Sequence, residues 1–210
     1  METTLSCTNF VTLLIFLCAT FYKLDSTLAA AAARAGVNPV SKIATEFIRT
    51  SCSQTTYPRL CFSSLSIHAQ KIQTSPQLLA GTALNVTLSS AKATTAMMSR
   101  LSLSHGLKPR EVSAMKDCVE ELSETVDELR RSIGEMSKLK GHNADFKLMI
   151  NDIQTWVSAA LTDENTCSDG FQGKTLNGNL KTVVRGRIVN VAQLTSNALA
   201  LINRYALIRG

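Results

Sequence analysis

The sequence has few of the residues from which enzyme active sites and stacking surfaces are built. Three histidines, one tryptophan, three tyrosines and seven phenylalanines are spread over 210 residues. A Gly-x-Ser-x-Gly nucleophile motif, a glycine-rich phosphate loop and a His-Glu-x-x-His zinc motif are all absent. The composition therefore argues against an enzyme, and the scattered aromatic residues argue against a platform that stacks bases or sugars.

Metal and cofactor patterns are missing as well. The chain has no Cys-x-x-Cys pair and few histidines, so we expect no zinc site, no other metal and no cofactor. Its net charge is +6, which would suit an acidic matrix or an acidic partner. The basic residues are scattered, with small clusters only at Arg130-Arg131 and Arg185-Gly186-Arg187, and nucleic acid is therefore not an expected partner.

No apolar run is long enough to span a bilayer. Residues 10–22, FVTLLIFLCATFY, have the length of a signal-peptide core. We predict a signal peptide over residues 1–33 with cleavage near 29–33, although Glu2 and the lack of Lys or Arg depart from the usual basic start. The alternative is an uncleaved, buried N-terminal segment. Cleavage would remove one basic and two acidic residues and raise the net charge to +7. A secreted chain would carry one glycosylation sequon, at Asn85.

Helical periodicity, by contrast, is abundant. The clearest apolar seam, with spacings of three and four residues, is Val112, Met115, Val119, Leu122, Val126, Leu129, Ile133 and Met136. The C-terminal segment repeats this pattern with Val184, Ile188, Val191, Thr195, Ala198, Ile202 and Tyr205. A third helix is indicated, with Asn143 as its N-cap, by Phe146, Met149, Ile153, Trp156 and Ala160. A fourth is predicted from Pro76 to about Leu103, with Ser75 as its cap.

Four helices of about 18 to 30 residues joined by short loops predict an all-α fold, an antiparallel four-helix bundle. Two short helical pieces precede them, and we predict an N-terminal helical hairpin over about residues 38–72. No internal repeat or long linker divides the chain. Residues 34–210 are therefore expected to form a single domain.

Four cysteines remain once the predicted signal peptide is removed, and they imply two disulfides with three possible pairings. A bridge between Cys52 and Cys61 would lock the turn of the hairpin. Cys118 is expected on the exposed flank of the second bundle helix, and Cys167 just beyond the third. A bridge between these two would join neighbouring helices.

Several stretches resemble the plant invertase and pectin methylesterase inhibitor family: TSCSQTTYPRLC, AMKDCVEELSETVDEL, WVSAALTDENTCSDGF and TSNALALIN. The resemblance covers essentially the whole chain after the predicted signal peptide. It implies a disulfide-tied four-helix bundle with an N-terminal hairpin. It also implies the pairing Cys52–Cys61 and Cys118–Cys167.

The resemblance further implies a secreted inhibitor of a carbohydrate enzyme, acting in the plant apoplast or cell wall. The ending SNALALINRYALIRG is similar to the branch that inhibits pectin methylesterase, and it lacks the Pro-Lys-Phe type of tail often found in invertase inhibitors. Because no catalytic domain follows, we expect a free inhibitor that forms a reversible 1:1 complex over the pectin-binding cleft. The alternatives are an acid invertase target, or a non-inhibitory helical module that binds a small ligand or a polyanion.

Helix geometry places three acidic residues of the second bundle helix on its outward side, at about 100° per residue. A bridge from Cys118 to Cys167 would bring the two polar residues Thr166 and Asp169, which flank Cys167, near the start of that helix. Six positions match those with which the resembled methylesterase inhibitors contact the enzyme: Glu120, Glu124, Asp127, Gln154, Thr166 and Asp169. Glu124 and Gln154 differ in residue type from the family pattern. An ordinary solvated acidic face would explain the charges equally well.

Overall fold

The computed structural model describes residues 39–139, 145–172 and 178–209. From Val40 onward the described residues belong to one compact unit. The predicted signal peptide, its cleavage region and the predicted N-cap Asn143 lie outside the described residues.

Seven α-helices make up the described chain, with a short 3-10 turn at Ser66–His68 between the second and third. Their bounds are α1 Pro39–Cys52, α2 Pro58–Leu65, α3 Ala69–Ile72, α4 Pro76–Ser102, α5 Pro109–Lys138, α6 Phe146–Gly170 and α7 Asn179–Arg209. The predicted all-α class is confirmed. Judged by length and hydropathy, none of these described helices qualifies as a membrane span.

Local signals in the sequence explain where these helices begin. Proline occupies the first position of both α4 and α5, where a missing N–H removes no helical hydrogen bond. Ser75 caps α4 as predicted, because its hydroxyl accepts a hydrogen bond of 3.3 Å from the Leu78 N–H. At the start of α5 the Glu111 carboxylate accepts a bond of 2.8 Å from the Lys108 N–H.

The four long helices form the predicted antiparallel bundle. α5 packs against α4 and α6, and α7 packs against the same two helices. The first turn of α4 meets the end of α5, where the Gln77 amide donates a hydrogen bond of 2.8 Å to the Leu139 carbonyl. Residues at opposite ends of neighbouring helices are therefore in contact, as antiparallel packing requires.

The core follows the predicted seams most closely in α7, where all seven predicted residues are buried. In α6 the prediction was less accurate, because Trp156 is only half-buried. The face that α6 buries contains Ile150, Ile153, Val157 and Ala160. Trp156 lies about 100° around the axis from Val157 and therefore falls at the edge of that face.

The N-terminal hairpin is attached to the bundle by a buried amide. The Cys52–Cys61 disulfide closes the hairpin at its turn. Inside this turn the Tyr57 N–H donates to Asn197 Oδ1 at 3.0 Å, and Asn197 Nδ2 donates to the Tyr57 carbonyl at 3.1 Å. Ile48 joins the same hydrophobic core as the bundle helices. One side chain of α7 thus satisfies both backbone groups of a residue 140 positions away.

The Cys118–Cys167 disulfide joins α5 to α6, with 4.5 Å between its Cα atoms. The positions of both cysteines differ from those predicted. Cys167 lies inside α6, not beyond it, because the helix continues to Gly170. Cys118 is 1% exposed, not on an exposed flank, because both sulfur-bearing side chains pack in an apolar cluster that includes Met115 and Phe171.

Candidate functional site

Three of the six predicted contact residues form one exposed stripe on α5. Glu120, Glu124 and Asp127 lie within about 60° of one another around the helix axis, opposite the buried Leu122 and Leu129. Asp127 forms an exposed ion pair with Arg130. For Glu120 and Glu124 no ion pair occurs within the described residues, so their carboxylates remain available to a partner.

Thr166 and Asp169 lie exposed in the last turns of α6, next to the disulfide that ties this helix to α5. The Thr166 hydroxyl donates to the Thr162 carbonyl at 3.0 Å, one turn earlier. Thr166 is therefore a residue within the helix and does not cap its end. The Asp169 carboxylate accepts a hydrogen bond from the Gln172 amide.

Gln154 lies apart from the other five residues. Its amide donates to Asn203 Oδ1 at 2.8 Å, which places the side chain on the α7 side of α6. Twelve residues separate Gln154 from Thr166, or about 18 Å along the helix axis. Gln154 therefore does not face α5, and Asp127 lines a groove on the α4 side of α5 together with Thr95.

A cleft of about 350 Å³ lies over the Cys118–Cys167 bridge between α5 and α6. Thr166 lines it from α6, and Arg110, Asp117 and Glu121 line it from α5. The floor is the buried disulfide and the rim is charged. A bulky side chain at Thr166 would therefore obstruct this part of the surface.

A cluster of carboxyl groups lies at the border between this face and the core. One oxygen each of Glu121, Glu124 and Asp163 lies within 4.8 Å of the others, an arrangement that could hold a cation. Burial, followed by the charges of Asp163 and Glu124, raises the pKa of Glu121. Because like charges and burial favour the neutral acids, protons can relieve this crowding without any metal.

Glu128 on α5 and Asp163 on α6 form a pair across the two helices. Burial, together with the charge and the hydrogen bond of Asp163, raises the pKa of Glu128 to about 7. Burial also raises the pKa of Asp163, while the hydrogen bond from Glu128 opposes that shift. Two carboxyl groups can share a hydrogen bond only while one of them is protonated. The pair therefore holds a proton at mildly acidic pH.

Glu164 is the most deeply buried carboxyl group of the described residues, with 0% of its surface exposed. Thr195 on α7 donates a hydrogen bond of 2.6 Å to its Oε1, and Oε2 has no partner within the described structure. Burial raises the pKa of Glu164 to about 8, although the Thr195 hydroxyl opposes this shift. Glu164 is therefore neutral in most of the acidic range.

The sequence analysis did not predict this cluster of carboxyl groups, although the spacing of its α5 members was visible in the sequence. Glu121, Glu124 and Glu128 follow helical spacing beside the apolar seam of α5, which a helical projection detects. The contribution from α6 could not be found that way. Asp163 and Glu164 are adjacent in sequence, and only the packing of α6 decides which one meets α5 and which one meets Thr195.

Comparison with known proteins agrees with this architecture. Residues 46–201 match the profile of the family "Plant invertase/pectin methylesterase inhibitor". The chain is 47% identical over 200 residues to Pectinesterase inhibitor 11 of Arabidopsis thaliana, across 94% of this chain and 96% of the relative. It is 49% identical over 166 residues to the 21 kDa protein of Daucus carota, across 78% of this chain and 85% of the relative.

A solved structure shares the fold. The crystal structure of mutant form A of a pectin methylesterase inhibitor from Arabidopsis matches with a TM-score of 0.60 and 22% identity, over 74% of this chain and 95% of that one. The chain belongs to the plant invertase/pectin methylesterase inhibitor family. The resemblance read from the sequence is thereby confirmed, and the family is one of inhibitors, not of enzymes.

Proposed function

We propose that this protein is a secreted inhibitor of pectin methylesterase that forms a reversible 1:1 complex and covers the pectin-binding cleft of the enzyme. The observation that carries the proposal is the 47% identity, over nearly the full length of both chains, to a protein named Pectinesterase inhibitor 11. Inhibition of this kind needs no covalent chemistry, which is consistent with the lack of catalytic motifs in the sequence.

We propose that the contact face is the exposed edge built from Glu120, Glu124 and Asp127 on α5 and Thr166 and Asp169 at the end of α6. Several features support this choice. The face lies on two helices tied by a buried disulfide, so little backbone freedom is lost on binding. The carboxylates of Glu120 and Glu124 have no ion-pair partner within the described chain, so they can pair with groups of the enzyme.

Gln154 belongs to the predicted contact set, and we assign it a peripheral position. Its hydrogen bond to Asn203 holds it at the border of α6 and α7. A complex that reaches Gln154 as well as Thr166 would extend about 18 Å along α6. That length suits an interface of standard size, about 800 Å² on each partner.

Secretion into the apoplast or cell wall is part of the proposal. It is supported by the signal-like run at residues 10–22. The two disulfides also support it, because such bridges persist in oxidising compartments.

Acid invertase is the second candidate target, because the description of the family names both enzymes. A direct titration separates the two. Purified protein is mixed with pectin methylesterase and, separately, with acid invertase at pH 5 and pH 7, and residual activity is measured against molar ratio. We expect loss of esterase activity with an equivalence point at 1:1 and no loss of invertase activity.

The opposite results reject the proposal. Inhibition of invertase alone assigns the second target. If both enzymes stay fully active, the protein is a binding module of another kind, for a small ligand or a polyanion.

A further inference from the structure

A second cleft lies between the first half of α4 and the last turns of α5. Its volume is about 260 Å³. Ile133 and Met136 contribute apolar surface to it, and Lys71 and Ser137 contribute polar groups. A surface that combines an apolar floor with a few polar groups is typical of a ligand site.

Thr82 is one of the residues that line this cleft, and its hydroxyl group is buried and unsatisfied. The residue is 2% exposed, and its hydroxyl has no hydrogen-bond partner among the residues that the structure describes. A buried hydroxyl without a partner destabilises the fold unless another molecule supplies the missing bond. This hydroxyl lies beneath the surface of the cleft, and a ligand forms a hydrogen bond with it once the Thr82 side chain turns toward the cleft.

Gly81 lines the same cleft, and helix packing does not require a glycine there. A Cβ atom at this position would lie 3.7 Å from Met136 Cγ, an ordinary van der Waals contact. Glycine inside a helix is nevertheless unfavourable relative to alanine. The absent side chain leaves room in the cleft that the protein does not fill.

Asn85 also lines the cleft, and it is the acceptor residue of the sequon Asn85-Val86-Thr87. Its side chain is exposed, and Nδ2 donates a hydrogen bond of 2.7 Å to the Gly81 carbonyl. Attachment of a sugar replaces one of the two amide hydrogens. The other hydrogen remains available for the bond to Gly81.

We propose that Asn85 carries an N-linked glycan whose first N-acetylglucosamine residue lies in this cleft. The apolar C–H face of the sugar packs on Ile133 and Met136. The Thr82 side chain turns toward the cleft, and its hydroxyl pairs with a polar substituent of the sugar. The proposal rests on the secretion proposed above, since the glycan donor belongs to the secretory pathway. The donor is an oligosaccharide linked to a lipid diphosphate. The amide nitrogen bonds to the sugar C1, the C1–O bond to the diphosphate breaks, and the amide loses a proton.

The fold also determines at which stage of folding Asn85 can be glycosylated. Thr87, the third residue of the sequon, is 1% exposed, and its hydroxyl donates to the Ala83 carbonyl at 2.9 Å. The folded bundle therefore hides part of the signal from a transferase. Modification must precede the packing of α4, and the sugar enters the cleft as the helices assemble.

The first experiment uses the full chain expressed in plant cells, with both medium and cell extract analysed. Intact mass is measured before and after peptide N-glycosidase, with Asn85→Gln as the unglycosylated control. We expect a glycan at Asn85 in the secreted protein. A secreted protein without a glycan overturns this inference and leaves the inhibitor proposal intact. Absence of the chain from the medium contradicts the proposed secretion instead.

The second experiment tests the cleft. The glycan is trimmed to a single N-acetylglucosamine, and its protons are examined for Overhauser contacts with the Met136 methyl group. We expect such contacts and a Tm about 2–4 °C above that of Asn85→Gln. In Thr82→Val the unglycosylated protein should gain stability, and the Tm difference caused by the sugar should shrink.

A matched control moves the glycan out of the cleft. L103N/H105T in the Asn85→Gln background creates a sequon in the loop after α4, where the native Leu103 is 82% exposed. A single sugar at this site should give no Tm gain. An equal gain at both sites, or no contact between the sugar and Met136, would show that the cleft does not hold the glycan.

Discussion

At the scale of single residues, the burial of Glu164 makes the stability of this protein depend on pH. In the folded chain its carboxyl group holds a proton up to about pH 8, whereas the ordinary pKa is 4.5. Between these values the folded state binds more protons than the unfolded state. The free energy of unfolding therefore falls as the pH rises from about 4.5 to 8.

Replacement of Glu164 by glutamine should remove this dependence. Glutamine keeps the oxygen that accepts the Thr195 hydrogen bond, and it has no charge to lose at neutral pH. We expect Glu164→Gln to raise the Tm at pH 8 by several degrees and to change it little at pH 5. Calorimetry at both pH values measures the effect.

The matched control is Glu46→Gln on α1, because Glu46 is an exposed carboxylate in an ion pair with Arg49. Exposed pairs of this kind contribute little to stability. The Tm of Glu46→Gln should equal that of the parent at pH 5 and at pH 8. A parent Tm that is constant from pH 5 to pH 8 would mean that Glu164 does not hold its proton in the way described.

The proposed contact face is also tested at the residue scale. Thr166→Trp, or Glu120→Ala combined with Asp127→Ala, should weaken inhibition at least tenfold, about 1.4 kcal/mol. These side chains are exposed, so the Tm should hardly change. Inhibition constants against pectin methylesterase, measured beside thermal unfolding, separate loss of contact from loss of fold.

Lys138→Ala is the control for these variants, because it removes an exposed charge at the far end of α5. It should alter neither inhibition nor Tm by a significant amount. Contact-face variants that inhibit as strongly as the parent would move the interface elsewhere on the bundle and would leave the family membership unchanged.

At the scale of elements, the attachment of the hairpin to α7 depends on Asn197. Asn197→Ala leaves the N–H of Tyr57 without its protein partner and leaves its carbonyl with the Cys61 N–H alone. We expect a loss of about 1–3 kcal/mol in the free energy of unfolding. Urea denaturation measures it. Asn190→Ala, which removes an exposed amide of the same helix, should cost much less.

The two disulfides stabilise elements of different size. Their sequence separations are 49 residues for Cys118–Cys167 and 9 residues for Cys52–Cys61. The chain-entropy relation gives about 4 and about 3 kcal/mol for loops of these lengths. Paired Cys→Ala variants should therefore lose more stability at the first bridge, measured by urea denaturation.

Removal of the two disulfides should also have different effects on inhibition. The Cys118–Cys167 bridge lies beneath the proposed contact face, so its removal should weaken inhibition as well as stability. Removal of Cys52–Cys61 should affect the hairpin and leave the contact face in place. Equal loss of inhibition in both variants would argue that the hairpin takes part in binding.

At the scale of the whole molecule, the proposed contact face, which is acidic, belongs to a chain with a net charge of +6. In the complex proposed above, this face meets the pectin-binding cleft of the esterase. The family resemblance implies that this cleft carries aspartates, and protonation would relieve the repulsion between the two surfaces. The pKa values of Glu121, Glu128 and Asp163 are all raised, so protons are taken up in mildly acidic solution. We expect binding of the esterase to be tighter at pH 5 than at pH 8, by an order of magnitude.

Calorimetric titration at several pH values measures this dependence. Glu128→Gln combined with Asp163→Asn removes two of the titrating groups and should reduce the loss of affinity at pH 8. An affinity that is constant between pH 5 and pH 8 would contradict the prediction, whatever the effect of pH on the stability of the free inhibitor.

The sequence by itself determined the helices and much of their buried surface, because these properties are local. Proline at the first position of α4, the Ser75 cap and the seam of α7 act over a few residues, and the structure has them as predicted. The cysteine pattern and the four motif stretches were likewise sufficient to indicate the family.

Only the tertiary structure decided how these helices meet. Periodicity gives the angular position of a side chain on its own helix, but the rotation and offset between two helices depend on all packed side chains together. For this reason the sequence did not predict the Glu128–Asp163 pair, the bond from Asn197 to Tyr57, or the position of Gln154 on the α7 side of α6. Each of these joins residues of different elements, and their contact exists only once the bundle has formed.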